Sequence, residues 1–374
     1  MRTETRAVLR ATLTMIGTII GAGVFALPVL FARVGLLPAT VLFLFVTGIV
    51  LATHVLYLEI ALAIKKRMRL TGYARQELGS LGSWVAMWTY PLQIMGADFA
   101  YLLLGGGFLA TLVGRWFPTI ALSAWTVLFW AIGALVVARG LRGVAKIEGV
   151  ATWMLIITMA IASLVTLHGF DLSLAINERW SEVAMPFGAF LFALSGYNAV
   201  HEVSELVGRK RERAMAAVVL GTLIAAALSW FFAVGIAFTG GDTDRLPNHL
   251  AHLFPSGIGW IIPLIGLLAV ITSYFIMAED LTIAMEIDFG MKKTAAWLVT
   301  FLTPLALVFI VHQDFLHVVG AVGALFGGLN GIMIALIAWK LKAQRRIRAP
   351  LTRTLASVVL VAFVVGIVYQ LVAL

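Results

Sequence analysis

Two things are scarce in this 374-residue chain: cysteine, of which there is none, and charge, carried by only 12% of residues. Without cysteine, a disulfide-stapled secreted domain is excluded. A soluble domain carries about 25% charged residues, whereas apolar residues here reach 61% before the 35 glycines are counted. That share exceeds what a water-soluble globule of this size can bury while still covering itself with polar groups. The same composition excludes a disordered chain. Closely spaced His and acidic residues of metal-binding type are missing, and no Ser-His-Asp arrangement can be asserted, which leaves a membrane-embedded enzyme with little basis. What the chain does have is long apolar runs, the mark of a polytopic membrane protein.

Crossing the hydrocarbon as a helix takes about 20 apolar residues. Eleven runs meet that need, near 8–30, 36–63, 84–113, 119–138, 148–168, 182–201, 213–239, 258–287, 294–312, 317–340 and 353–373. The connections are too short for a separate soluble domain. The first run continues into a full span, unlike a cleavable signal.

On a soluble protein the net charge of +9 would suggest a nucleic-acid partner. If the eleven spans alternate in direction, however, 23 of the 27 Lys and Arg fall on one side: Arg2, Arg6, Arg10 and the runs at 65–75, 139–146, 209–213, 292–293 and 340–353. Only Arg33, Arg115, Arg179 and Arg245 fall on the other. This is the positive-inside pattern. It puts the N-terminus in the cytoplasm and the C-terminus outside, in a prokaryotic cytoplasmic membrane, and directs the basic charge toward anionic lipid rather than nucleic acid.

Two of the spans carry residues that interrupt a helix. In span 1, Gly17, Gly21 and Gly23 lower helix propensity at mid-span, and Pro28 ends or kinks the helix one turn later. The same glycines also suit close packing against a neighbouring helix. In span 6, Ser195, Gly196 and Asn198 favour non-helical backbone. Counted from opposite sides, Gly21 and Ser195 each lie about 13 residues into their spans, roughly 20 Å deep at 1.5 Å per residue. Interrupted spans five apart, travelling in opposite directions, point to an inverted-repeat transporter. The expected fold is therefore an all-α polytopic membrane protein of eleven transmembrane helices. Residues 1–168 and 182–340 form a five-plus-five inverted repeat, and residues 353–373 add one C-terminal helix.

The stretch from Ile16 to Pro28 (IGTIIGAGVFALP) resembles the opening motif of the amino acid–polyamine–organocation transporter superfamily. Phe192 to Tyr197, followed by Glu202, Glu205 and the basic run at 209–213, resembles that superfamily's sixth helix and its cytoplasmic exit. Tyr101 to Gly107 and Thr272 to Phe275 look most like the hydroxy and aromatic amino acid permease branch. The resemblance extends from residue 8 to about 340 and implies the inverted-repeat fold of the leucine-transporter type. It leaves helix 11 without an assigned role.

Unwound backbone at Gly21, Ala22 and Gly23 heads a half-helix, where unpaired amides and the positive dipole end suit a carboxylate. Carbonyls of Phe192, Ala193 and Ser195, ending the opposite half-helix, suit an ammonium. A zwitterionic amino acid can thus be held largely by backbone, with Gly196, Tyr197 and Asn198 extending the same candidate site and Phe25 and Tyr197 shaping or closing it. Asp98, about 14 residues into span 3, is the strongest ionisable candidate. A carboxylate at that depth must be paired, hydrated or protonated, which makes it a candidate proton carrier. Tyr101, one turn on, offers a hydroxyl to substrate.

The resemblance also implies a sodium site from the carbonyls of Gly17, Ile20 and Ala269 and the hydroxyls of Thr272 and Ser273. Hydroxyls that bond back to carbonyls one turn earlier would give that pair a purely structural role. Span 5 contains no lysine, which removes the arrangement in which an ammonium takes sodium's place. No cofactor is expected beyond such an ion. The remaining ionisable residues read as shallower: His54 and Glu59 in span 2, His201, Glu202 and Glu205 ending span 6, and Glu279, Asp280, Glu286 and Asp288 in span 8. Glu59 is expected to snorkel or to pair with Lys65 and Lys66. The expected activity is secondary transport of amino acids by alternating access, driven by sodium or protons, with spans 1 and 6 rocking against spans 3 and 8. An ion channel would instead show a pore-lining selectivity element.

Overall fold

The computed structural model describes residues 2–64, 66, 68–138, 144–239, 260–311 and 315–373. Among these residues every regular element is helical. Among the described residues seven helices are long and apolar enough to cross a membrane, and an eighth crossing results if the bent pair at the N-terminus is one span. In chain order the helices are α1 (Arg2–Ile19), α2 (Leu27–Val34), α3 (Leu36–Ala63), α4 (Leu70–Val113), α5 (Leu122–Ala138), α6 (Val144–Thr166), α7 (Phe187–Leu194) and α8 (Val200–Leu206). There follow α9 (Arg211–Ala237), α10 (Ile261–Ile287), α11 (Lys293–Ile310), α12 (Phe315–Ala321), α13 (Gly328–Ala343) and α14 (Thr352–Ala373). A short helix at Leu172–Ala175 is capped by Asp171, whose carboxylate accepts from the Ser173 amide at 2.8 Å.

The third run begins earlier than its composition suggests. α4 starts at Leu70, before the apolar stretch, and turns at Gly79, whose φ of 74° is open to glycine and strained for other residues. Sequence reasoning takes the charged segment around Arg75 and Glu77 for a loop, because polarity there overrides a helical backbone. The tenth run is likewise not one regular helix, since a π-helical segment at Val322–Gly327 joins α12 to α13. The eighth run begins at 258 by sequence, but residues 258–259 lie outside the described residues.

Water does not order these helices; close approach does. In lipid, apolar side chains gain little by meeting each other, so backbone proximity through small residues decides which helices pack. α1 lies along α9, where a Cβ on Gly221 would stand 2.6 Å from Met15 Cβ. α4 packs on α10 and α5, and its Gly105 and Gly106 face Phe129 and Thr126. The π-helical segment lies against α7 so tightly that Gly323 meets the Gly188 carbonyl, leaving no room for a side chain. Outward-facing Leu44, Phe45, Trp84, Trp88, Leu164 and Val365 form an apolar surface suited to hydrocarbon. α14 covers α13 and α3 with a narrow buried face of Ala356, Val359, Ala362 and Phe363, the last seated over Gly331.

Gly323→Ala is expected to cost about 1–3 kcal/mol through overpacking against Gly188. Thermal unfolding in detergent should show a lowered midpoint for Gly323→Ala but not for Gly320→Ala, whose methyl has nothing within 4 Å.

Candidate functional site

α1 stops at Ile19, and the chain turns through an extended Gly21 (φ −120°, ψ −152°) into a short 3-10 turn, Ala22–Phe25. α2 then carries Pro28 in its first turn, and the two segments are bent by 52°. The amides of Ala22 and Gly23 head this turn, where a helix has no carbonyl to offer them. The glycines are required by proximity. A Cβ on Gly21 would stand 2.5 Å from Ser273 Oγ and 3.2 Å from the Tyr101 hydroxyl, and one on Gly23 would stand 2.5 Å from Ala193 Cα.

The second interruption falls at Ser195 and Gly196. α7 ends at Leu194, Ser195 is extended (φ −71°, ψ 132°), and a 3-10 turn at Tyr197–Ala199 leads into α8. The Leu191 carbonyl still receives the Ser195 amide at 3.0 Å, but the carbonyls of Phe192 and Ala193 have no following helical turn to claim them. The two breaks touch through Gly23 and Ala193, with Tyr101 of α4 and Ser273 of α10 against Gly21. Gly21, Gly23, Tyr101, Phe192 and Ala193, singled out separately from the sequence, therefore meet at one place.

A cavity of about 10 Å³ lies beside this junction, lined by Gln93, Ile94, Ala97, Tyr101, Phe192, Ser195, Asn198 and Met277. A second, of about 20 Å³, lies behind the span 6 break, between Thr53 and His54 of α3, Gln93 of α4, Ser195, Tyr197 and the glycines of the π-helical segment. Tyr197 belongs to this second cavity alone, and its hydroxyl donates to Gln93 Oε1 at 2.6 Å. Gln93 also receives Asn330 Nδ2 at 2.6 Å, while Thr89 donates to Asn330 Oδ1 at 2.7 Å. Gln93, Asn330 and Thr89 are absent from the sequence-based site, although each is visible there as a polar residue inside an apolar run.

The expected cation ligands gather with one exception. Ser273 Oγ donates to the Gly17 carbonyl at 3.1 Å, and Thr272 Oγ1 lies 3.0 Å from the Ala269 carbonyl and 3.5 Å from that of Gly17. Neither hydroxyl bonds the Ile20 carbonyl. Thr152 Oγ1 of α6, buried without a hydrogen-bond partner, sits against Gly17. This set of neutral oxygens fits a hard monovalent cation. To hold one, Thr272 and Ser273 must turn their protons away from the carbonyls they bond here.

Asp98 is placed differently from the expectation of a pocket residue. It is fully buried, neither carboxylate oxygen has a hydrogen-bond partner, and it lines neither cavity. It sits on α4 one turn before Tyr101, and α4 is the helix that packs on α10. The rotation of α4 about its axis, which its apolar surroundings do not reveal, decides this.

On the basic side the junction is sealed by a buried polar cluster. Arg69 is ion-paired with Asp280, which also accepts from Tyr90 Oη and, at 2.7 Å, from Asn198 Nδ2. Asp288 accepts from the Thr71 hydroxyl and, at 2.9 Å, from the Gly72 amide. The His201 ring stacks on Tyr73 at 5.5 Å, and Tyr57 stands edge-on to both His201 and Tyr197. On the opposite side Phe25 packs on Phe108 at 4.9 Å and Phe232 at 5.9 Å. Asp280 and Asp288 are buried within the protein, and Glu59 is held by Arg211 instead of the lysine run, of which Lys65 lies outside the described residues. His54, also expected to be shallow, donates or accepts at both ring nitrogens in the interior.

Comparison with known proteins matches residues 4–373 to the tryptophan/tyrosine permease family. The putrescine transporter PotE of Haemophilus influenzae is 21% identical over 268 residues, covering 68% of this chain and 61% of that transporter. An uncharacterised amino-acid permease of Schizosaccharomyces pombe is 24% identical over 242 residues, covering 57% of this chain and 42% of its own. The chain thus aligns with less than two thirds of each curated relative. Among solved structures, MhsT in complex with L-phenylalanine superposes with a TM-score of 0.70 at 14% identity, covering 97% of this chain and 98% of MhsT. Mhp1, a nucleobase-cation-symport-1 family transporter in a closed conformation with bromovinylhydantoin bound, gives 0.70 at 15% identity, with 92% and 80% covered. These likenesses show the fold.

Removing one member of the Arg69–Asp280 pair leaves a buried charge unpaired. Arg69→Gln is expected to lower stability by about 3–5 kcal/mol, and the double variant Arg69→Met/Asp280→Leu to recover most of that loss, both read from thermal unfolding in detergent.

Proposed function

Since the chain belongs to the tryptophan/tyrosine permease family, a family of membrane-spanning transporters rather than enzymes, we propose that it carries an aromatic amino acid across the membrane by alternating access, driven by a cation gradient. The observation that carries this reading is the contact between the two helix breaks at Gly23 and Ala193. It brings free amides of one half-helix opposite free carbonyls of another, so carboxylate and ammonium of one substrate meet complementary backbone. Tyr101 and Phe192, 6.4 Å apart between ring centroids, flank the adjoining cavity and suit an aromatic side chain. No acidic residue lines that cavity, which disfavours a diamine, whose second ammonium would need a partner. MhsT binding L-phenylalanine supports the same choice.

In this reading the chain forms eleven spans. Residues 1–168 and 182–340 are the inverted halves, α14 is added outside them, and the basic side with the N-terminus is cytoplasmic. Spans 1 and 6 move against spans 3 and 8, and the Arg69–Asp280–Asn198 cluster opens when the site faces the cytoplasm. The oxygens of Gly17, Ala269, Thr272 and Ser273 are the candidate sodium ligands. Asp98, with two unpartnered oxygens, is a candidate proton carrier.

The test is uptake of labelled tryptophan, tyrosine and phenylalanine by purified protein in liposomes under imposed sodium or proton gradients. Saturable, gradient-dependent uptake of at least one is expected, and its absence for all three would sink the reading. Gly23→Ala should lower that uptake by roughly five- to a hundredfold, since crowding Ala193 costs on the order of 1–3 kcal/mol.

A further inference from the structure

His54, on α3, lies behind the span 6 break and plays no part in the reading above. Both of its ring nitrogens are engaged. Nε2 is 3.0 Å from the Gly196 amide nitrogen, and Nδ1 is 2.9 Å from Thr222 Oγ1 on α9. A backbone N–H only donates, so Nε2 must be an unprotonated acceptor. The single ring proton then sits on Nδ1 and is given to Thr222, whose own hydroxyl proton goes to the Val218 carbonyl at 2.8 Å. This chain of donors admits one protonation state, the neutral imidazole with its proton on Nδ1.

A second proton, at Nε2, would set two N–H groups against each other across 3.0 Å. The imidazolium and the Gly196 contact therefore exclude one another. Gly196 joins α7 to the Tyr197–Ala199 turn, and its amide has been freed by the break itself. Capping that break and protonating His54 are thus two uses of the same lone pair. Whatever moves Gly196 away favours the proton, and by linkage the proton favours moving Gly196 away.

The surroundings leave this competition undisturbed. The cavity of about 20 Å³ beside the ring, with Thr53, Gln93, Ser195 and Tyr197 around it, has room and polar partners for one water that can bring a proton to Nε2. From span 6 the titratable group facing the ring is Tyr197, committed to Gln93. Along α3 itself Tyr57 lies one turn on, and Glu59 beyond it is held by Arg211. α9 presents Thr222, α4 presents Gln93, and the π-helical segment and α14 present Gly323, Gly327 and Phe363. Among the described residues lining this cavity, none is a carboxylate, a lysine or an arginine.

We propose that His54 is a proton-binding site that fills when the span 6 break leaves it and empties when Gly196 returns, so that one proton is exchanged for each cycle of span 6. This rests on the alternating-access reading for the motion of span 6, while the protonation state follows from the hydrogen bonds alone.

The test uses the full-length protein in liposomes with a pH dye in the lumen and labelled tryptophan or tyrosine. A gradient of one pH unit supports roughly tenfold accumulation for one proton per substrate. His54→Gln offers an acceptor to Gly196 but cannot take a proton. It is expected to exchange internal for external amino acid while accumulating none above equilibrium and moving no protons. Gradient-driven accumulation by His54→Gln overturns the proposal. If that variant does not exchange, Thr222→Val replaces it: losing the Nδ1 acceptor should displace the pH profile of uptake, and an unchanged profile overturns the proposal. If the wild-type protein neither takes up nor exchanges any aromatic amino acid, the transport reading fails first. The proton site is then judged by nitrogen-15 histidine spectra, with His54→Gln identifying the resonance. A neutral, Nδ1-protonated His54 whose acidification perturbs the Gly196 amide supports it, and titration without that change refutes it.

Discussion

Unwinding a helix at membrane depth frees backbone groups that lipid cannot satisfy, and every other feature of this molecule answers to that constraint. The chain breaks at Gly21 and again at Ser195–Gly196, and the freed groups of both breaks turn inward. Part of the debt is met locally, by the 3-10 turns at Ala22–Phe25 and Tyr197–Ala199. Part is met from elsewhere, as when His54 receives the Gly196 amide. What is left over, the amides of Ala22 and Gly23 and the carbonyls of Phe192 and Ala193, is the candidate binding surface, with opposite polarities made without charged side chains.

Such a surface must be enclosed, and enclosure explains the distribution of small residues. Gly21 and Gly23 let Ser273, Tyr101 and Ala193 approach the broken backbone directly. Gly323 lets the π-helical segment press on α7 just before its break. Around the junction the polar cluster of Arg69, Asp280, Asn198 and Tyr90 closes one side and the aromatic group of Phe25, Phe108 and Phe232 the other. The two closures differ in kind. An ion pair with hydrogen bonds has discrete made and unmade states, whereas stacked rings can slide, which suits a bundle that opens alternately.

Much of this was legible in the residues. Glycine, proline and the Ser-Gly pair act on the backbone of their own segment, so both breaks could be located without knowing any neighbour. Thr272 and Ser273 stand out only through the family resemblance, which implies a cation site there. Arg69, Glu59, His54 and Asp98 were read less well. Arg69 counts by sequence only toward sidedness, yet it is the partner of Asp280; Glu59 is expected to snorkel or to pair with the lysine run, yet Arg211 holds it. His54 and Asp98 were ranked by depth, but depth does not say which way a side chain faces. On helices apolar all round, such as α3 and α10, no periodicity marks the inner face.

By itself, then, the sequence determined that the chain crosses a membrane repeatedly and where two helices cannot stay helical. These are properties of composition, of charge counted along the chain, and of local backbone propensity. The tertiary structure decided which freed groups meet, that Asp98 is buried outside both cavities, and that His54 caps the break in span 6. Those depend on helix rotation and on contacts between residues more than 140 positions apart, such as His54 and Gly196. Packing in lipid sets them through a few small side chains, and no pattern along one segment records them.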